Sequence, residues 1–211
     1  MNLIIIGAQA SGKMTVGQEV AKLTGMTLFH NHDSIDFSLR FIPEFSEDMF
    51  DLNTRITFAV YDVFARSGRP LIGTALINFK NPIDVQFLTT VQTIFHHHGQ
   101  EILFVELETA LEERLRRNRT ENRLTHKPLK RHIEVSEAEI LSTADTCRYT
   151  SLGIPEGIQH YLKINNTHLS ANDVAQLIIQ KWRNLSKNKR NSQPKGLTIS
   201  RRLYEKELGY F

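Results

Sequence analysis

The 211-residue chain contains a single cysteine, Cys147. One thiol excludes an internal disulfide and suits a reducing compartment, so a cytoplasmic protein is expected. No apolar run approaches the roughly 18 residues that a membrane span needs, and no membrane partner is expected. The opening MNLIIIGAQA has no basic residue ahead of its apolar stretch, so it reads as a buried strand rather than a signal peptide. There is no internal repeat and no recognisable nucleic-acid-binding motif. What the chain does hold is ordinary globular material: 40% hydrophobic and 23% charged residues, enough for one sizeable core.

The net charge of +3 is unevenly spread. Over residues 183–211, eight basic residues (Arg183, Lys187, Lys189, Arg190, Lys195, Arg201, Arg202 and Lys206) face only Glu205 and Glu207, which leaves the body net acidic. Composition also shifts there to Asn, Ser, Lys, Pro and Gly without periodicity. Residues 1–183 are therefore expected to form the domain and residues 184–211 a basic C-terminal extension. Its cations leave nucleic acid open as a partner, but the acidic body favours a solvated extension.

Along the body, strand-like and helix-like segments alternate, the pattern of a parallel α/β sheet. Leu3-Ile4-Ile5-Ile6 is aliphatic without alternation, as in a strand buried on both faces. Val16, Val20, Ala21 and Leu23 then recur at helical spacing, with Gly25 as a stop. Further strands are expected at Thr27 to His30, Leu71 to Ile77, Ile102 to Val105 and Tyr161 to Ile164. Helices are expected through Leu52 to Val63, after the Asn81-Pro82 cap, and from Ile133 to Ala144. Thr109-Ala-Leu-Glu112 has the form of a capping box opening an Arg-rich helix. Ser170 to Asp173 caps a closing helix through Trp182. His96-His97-His98 reads as a helix end before Gly99, because consecutive helical residues point apart; no metal site is expected.

One segment carries chemistry. Gly7 to Lys13 spell G-x-x-x-x-G-K between that aliphatic strand and the first helix. Backbone N–H groups of Gly7, Ala8, Gln9, Ala10, Ser11 and Gly12, with the positive end of the helix dipole, suit phosphate oxygens, and Lys13 suits the β/γ oxygens. The next residue should carry a hydroxyl for Mg²⁺, yet it is Met14, a poor partner for a hard cation. The hydroxyl arrives one residue late, at Thr15. Gly12-Lys13-Met14-Thr15 resembles the adenylate-kinase branch of P-loop enzymes, where Gly and then Thr follow the lysine. That resemblance implies that Thr15 meets an α- or β-phosphate and that phosphate oxygens and water hold most of the Mg²⁺.

The second strand ends in Phe29-His30-Asn31-His32-Asp33-Ser34-Ile35-Asp36. Ligands collect beyond the carboxyl ends of such strands. Here the chain resembles the small-molecule P-loop kinases, the group of shikimate, gluconate and nucleoside monophosphate kinases. The resemblance implies a three-layer α/β P-loop fold and transfer of the γ-phosphoryl of ATP, with Mg²⁺, to a small hydroxylated or phosphorylated acceptor. Asp33 matches the aspartate that contacts the acceptor hydroxyl in shikimate kinase, with Asp36 next. His32 could serve as the base, and Arg40 could meet an anionic acceptor. Asp33 and Asp36 could equally cap the following helix. The third strand carries only Gly73-Thr74 where shikimate kinase has three glycines, which counts against shikimate itself.

Residues 114–123 read RLRRNRTENR, five arginines in ten positions. By resemblance they belong to a lid over about 109–132, with Arg117, Arg119 and Arg123 touching phosphate or adenine and Arg117 acting in the transfer. A solvated basic helix face paired with Glu112 and Glu113 is the alternative. Two other functions stay open: an ATP- or GTP-binding module with little turnover, and a kinase acting on a nucleotide or RNA acceptor.

Overall fold

The computed structural model describes residues 2–120 and 133–192. Their backbone forms a five-stranded parallel sheet in the order β2-β3-β1-β4-β5. The strands are β1 (Leu3–Gly7), β2 (Thr27–Phe29), β3 (Leu71–Ala75), β4 (Leu103–Glu108) and β5 (Tyr161–Asn165). Seven helices are described: α1 (Lys13–Thr24), α2 (Asn31–Ser38), α3 (Glu47–Ser67), α4 (Pro82–His97), α5 (Leu111–Asn118), α6 (Ile133–Thr146) and α7 (Ala171–Ser192).

β1 lies at the centre, so its residues have no solvent side. Leu3 to Ile6 are fully buried, and alternate side chains feed two cores. Ile4 and Ile6 join Tyr61, Leu88, Phe95 and Phe104 on the α3/α4 face. Leu3 and Ile5 join Val16, Val20, Val174 and Ile178 on the α1/α7 face. This is the three-layer arrangement expected from the alternating pattern.

Gly73 on β3 shows how tight the first core is. A Cβ there would lie 2.5 Å from both Ile4 Cδ1 and the Tyr61 hydroxyl. Tyr61 is buried and packs edge-on to Phe29 at 5.9 Å, so it has little room to retreat. Gly73→Ala is expected to cost about 1–3 kcal/mol by overpacking, read as a lower urea midpoint with an unchanged slope.

Three details correct the sequence reading. The proposed capping box at Thr109–Glu112 does not form: the N-cap of α5 is Ala110, with no side-chain cap. The Thr109 hydroxyl instead donates to Asn166 Oδ1 at 2.5 Å. β4 runs past Val105 to Glu108 and carries a charged residue in its interior. Glu106 is fully buried, but it accepts from Ser151 N at 3.0 Å, from Ser151 Oγ at 2.5 Å and from the Tyr161 hydroxyl, with Lys163 Nζ at 3.5 Å. A carboxylate so satisfied can sit in a strand that composition alone would end. Burial, reinforced by the bond to Glu106, pushes the Tyr161 hydroxyl far above its usual range, so it stays protonated and donates. Finally, α7 continues to Ser192, beyond the compositional shift, because Trp182 and Leu185 still pack against the α1/α7 core.

Candidate active site

The loop between β1 and α1 has the conformation that its glycines permit. Gly7 has φ 151°, Ala10 φ 58° and Gly12 φ 93°. At Gly7 a Cβ would also lie 2.7 Å from Leu107 O and 2.9 Å from Ser11 Oγ, so backbone angle and space both demand glycine. Ala10, a non-glycine residue in the left-handed region, keeps the loop curled into a concave nest of the kind that binds anions. The N-cap of α1 is Gly12, and no side chain caps it. The first N–H groups of α1 therefore have no side-chain cap.

Lys13 folds back over this nest. It is buried, and its Nζ donates to Gly7 O and Ala8 O at 2.7 Å each. Ser11 Oγ, fully buried, has no hydrogen-bond partner among the described residues. A cleft of about 630 Å³ opens beside the loop, lined by Ala10 to Val16 on one side and by Glu113, Arg117, Thr167 and His168 on the other. Lys13, Met14 and Thr15 thus line one cavity, as the motif implies.

The arginines divide. Arg117 lines the cleft, but its guanidinium is heavily engaged. Nε donates to Glu113 Oε1 at 2.7 Å, Nη1 to Ser11 O at 3.1 Å, and Nη2 to Asn166 O at 2.8 Å and Thr167 O at 3.3 Å. Arg119 does not line the cleft; it makes a bidentate pair with Glu137 of α6 at 2.6 and 3.0 Å. Arg123 lies outside the described residues, as does most of the expected lid. Arg114, which the sequence left without a role, is buried and donates from Nε to Gln9 O at 2.8 Å.

Glu113 binds two of these arginines. Its hydrogen bonds to Arg116 and then Arg117 outweigh desolvation and hold its carboxyl down to about 2. A depressed folded value contributes stability above the unfolded carboxyl range, lost as pH falls through the folded value. The melting temperatures of wild type and Glu113→Gln are thus expected to differ at pH 6 and to converge as pH falls from about 4.5 towards 2.

On the acceptor side, β2 hands the chain to α2 at the carboxyl end of the sheet. Thr74 of β3 anchors the turn: Asn31 N donates to Thr74 Oγ1 at 3.0 Å, and Thr74 Oγ1 donates to Asn31 Oδ1 at 3.1 Å. His30 is the N-cap of α2, its Nδ1 accepting from His32 N at 3.1 Å. Asp33 Oδ2 accepts from His30 N at 2.7 Å and closes a capping box, so the capping alternative for Asp33 is present in the geometry. Asp33 nevertheless remains exposed. His32 stacks on His30 at 5.3 Å and faces Asp36 at 3.8 Å. Arg40 lies exposed just past α2. His32, Asp33 and Asp36 thus share one turn, and none of them lines the cleft beside the phosphate loop.

Asn166 was missed by sequence reasoning. It is 2% exposed, and its Nδ2 donates to Ser11 O at 2.9 Å. The signal was available: Asn166-Thr167 follows the last strand at the carboxyl edge, where ligands gather. At the opposite edge, the end of α4 spreads its histidines. His96 turns to Glu101 at 3.5 Å and His98 to Asp62 at 3.0 Å. Among the described residues no helix is long and apolar enough to cross a membrane.

No family model matches the chain, and no curated protein matches it significantly in sequence. Solved structures do match. A putative kinase from Chloroflexus aurantiacus J-10-fl superposes with TM-score 0.61 at 14% identity, covering 87% of this chain and 96% of that one. A gluconokinase from Sinorhizobium meliloti 1021 gives 0.58 at 14%, covering 91% and 97%. A shikimate kinase from Acinetobacter baumannii in complex with shikimate gives 0.53 at 20%, covering 89% and 94%. With the phosphate loop, strand order and cleft in place, the chain has the three-layer α/β fold of the small-molecule P-loop kinases.

Proposed function

We propose that this chain is an ATP-dependent kinase that moves the γ-phosphoryl group to the hydroxyl of a small acceptor. The observation that carries this is the loop from Gly7 to Lys13. A curled nest, an N-terminus of α1 without a side-chain cap and a buried ammonium meet at one cleft. Fixed donors of this kind suit triphosphate oxygens, and in phosphoryl transfer nearly all the protein's work is positioning and charge stabilisation. The fold shared with kinases supports the same reading.

Each residue then has a task. Gly7 to Gly12 hold phosphates through backbone N–H groups, and Lys13 stabilises the charge on the transferring group. Thr15 binds an α- or β-phosphate. Asp33 orients the acceptor hydroxyl and accepts its proton, with His32 and Asp36 beside it. Arg117 walls the phosphate side of the cleft. Bound Mg²⁺ would supply charge neutralisation at the phosphates. Among the described residues lining the cleft, Glu113 is the only carboxylate, and it is already paired. With Thr15 on a phosphate, phosphate oxygens and water would supply most of the metal's ligands.

The test is ADP release from MgATP across a panel of hydroxylated metabolites, alongside calorimetry with MgATP alone. Binding with turnover on one acceptor class supports the kinase. Binding without turnover on any acceptor would leave a nucleotide-binding module.

A further inference from the structure

The carbonyl of Ser11 accepts from two side chains, with a third beside it. Asn166 Nδ2 donates to it at 2.9 Å and Arg117 Nη1 at 3.1 Å, while the Thr109 hydroxyl lies 3.4 Å away. These residues come from the turn after β5, from α5 and from the end of β4. Thr109 gives its one hydrogen to Asn166 Oδ1 at 2.5 Å. That bond sets the orientation of the amide, since Oδ1 must accept from Thr109 and Nδ2 is left to face Ser11 O. Asn166 is itself held, its N–H donating to Glu108 O at 2.9 Å and its carbonyl accepting from Arg117.

The peptide joining Ser11 to Gly12 is planar and trans, so its C=O and N–H point in opposite directions. With the Ser11 carbonyl turned towards Asn166 and Arg117, the Gly12 N–H points away from them. We infer that Asn166 is a positioning residue for phosphate binding, presenting the Gly12 N–H by anchoring the Ser11 carbonyl. The inference rests on the kinase reading of the loop. It assigns Asn166 a share of affinity for the phosphate chain and none for the nucleoside.

The decisive variant is Asn166→Ala, which removes the donor to Ser11 O without adding a charge that would itself repel phosphate. Calorimetry would compare wild type and variant with MgATP, inorganic tripolyphosphate and adenosine. Expected is a loss of about tenfold or more for ATP and tripolyphosphate, with adenosine unchanged. The Gly12 amide cross-peak, read without ligand, is expected to move, and the neutral Asn166→Leu to match Asn166→Ala. A purely structural role would instead lower the melting temperature and weaken all three ligands together. Equal tripolyphosphate binding in variant and wild type, or a stationary Gly12 peak, overturns the inference and leaves the kinase reading standing. A wild type that binds neither ATP nor tripolyphosphate overturns that reading, and this inference with it.

Discussion

Calorimetry with MgATP is expected to show binding for the wild type and affinity weaker by about 10²–10⁴-fold for Lys13→Ala. The Lys13 ammonium is buried and held at 2.7 Å from two loop carbonyls, Gly7 O and Ala8 O, so it is already fixed against the curled loop. Hydrogen bonds to charged groups contribute about 1.5–3 kcal/mol each. Losing two such contacts to phosphate lowers affinity by roughly two to four orders of magnitude. The same substitution leaves Gly7 O and Ala8 O without their present donor, so a melting curve must accompany it. Lys13→Arg keeps the charge and serves as the control for that loss. Met14→Ser is the contrasting variant: Met14 lines the cleft but offers only a thioether, so both binding and turnover should stay within a few-fold. Lys13→Ala with wild-type affinity would remove the basis of the proposed function.

Asp33→Asn is expected to split the two halves of the reaction. Asp33 closes the capping box of α2 through His30 N, a bond that an asparagine oxygen can still accept. What asparagine cannot do is take a proton or carry charge. If Asp33 orients and deprotonates the acceptor hydroxyl, phosphoryl transfer should fall by roughly 10²–10⁴-fold while MgATP affinity is unchanged. If it only caps the helix, transfer should survive and the melting temperature should move slightly. Steady-state ADP release on the acceptor found in the panel, set beside calorimetry, decides between them.

Much of this protein was legible in its residues. Leu3 to Ile6 could only be a strand buried on both faces, and it is the central one, with both cores growing from its alternating side chains. Asn81-Pro82 and Ser170 to Asp173 gave their helix starts correctly, because a cap is a local bond between neighbours in sequence. Gly7, Gly12 and Lys13 announced the loop for the same reason: its geometry is made within seven residues.

The errors came where a side chain was claimed from far along the chain. Thr109 looks like a cap, yet α5 is capped one residue later, at Ala110, and the Thr109 hydroxyl turns to Asn166 beyond another strand. Glu106 looks like a strand end until Ser151, Tyr161 and Lys163 surround it. Arg117 and Arg119 look alike in a run of arginines, yet one grips the phosphate loop and the other pairs with α6. The residues by themselves determined the fold class, the central strand and the curl of the glycine loop, since each follows from propensity, periodicity or bonds within a few positions. Only the tertiary structure decided what holds that loop in shape. A hydrogen bond forms with whichever partner packing brings near, and the parallel sheet brings together the ends of strands that lie far apart in sequence.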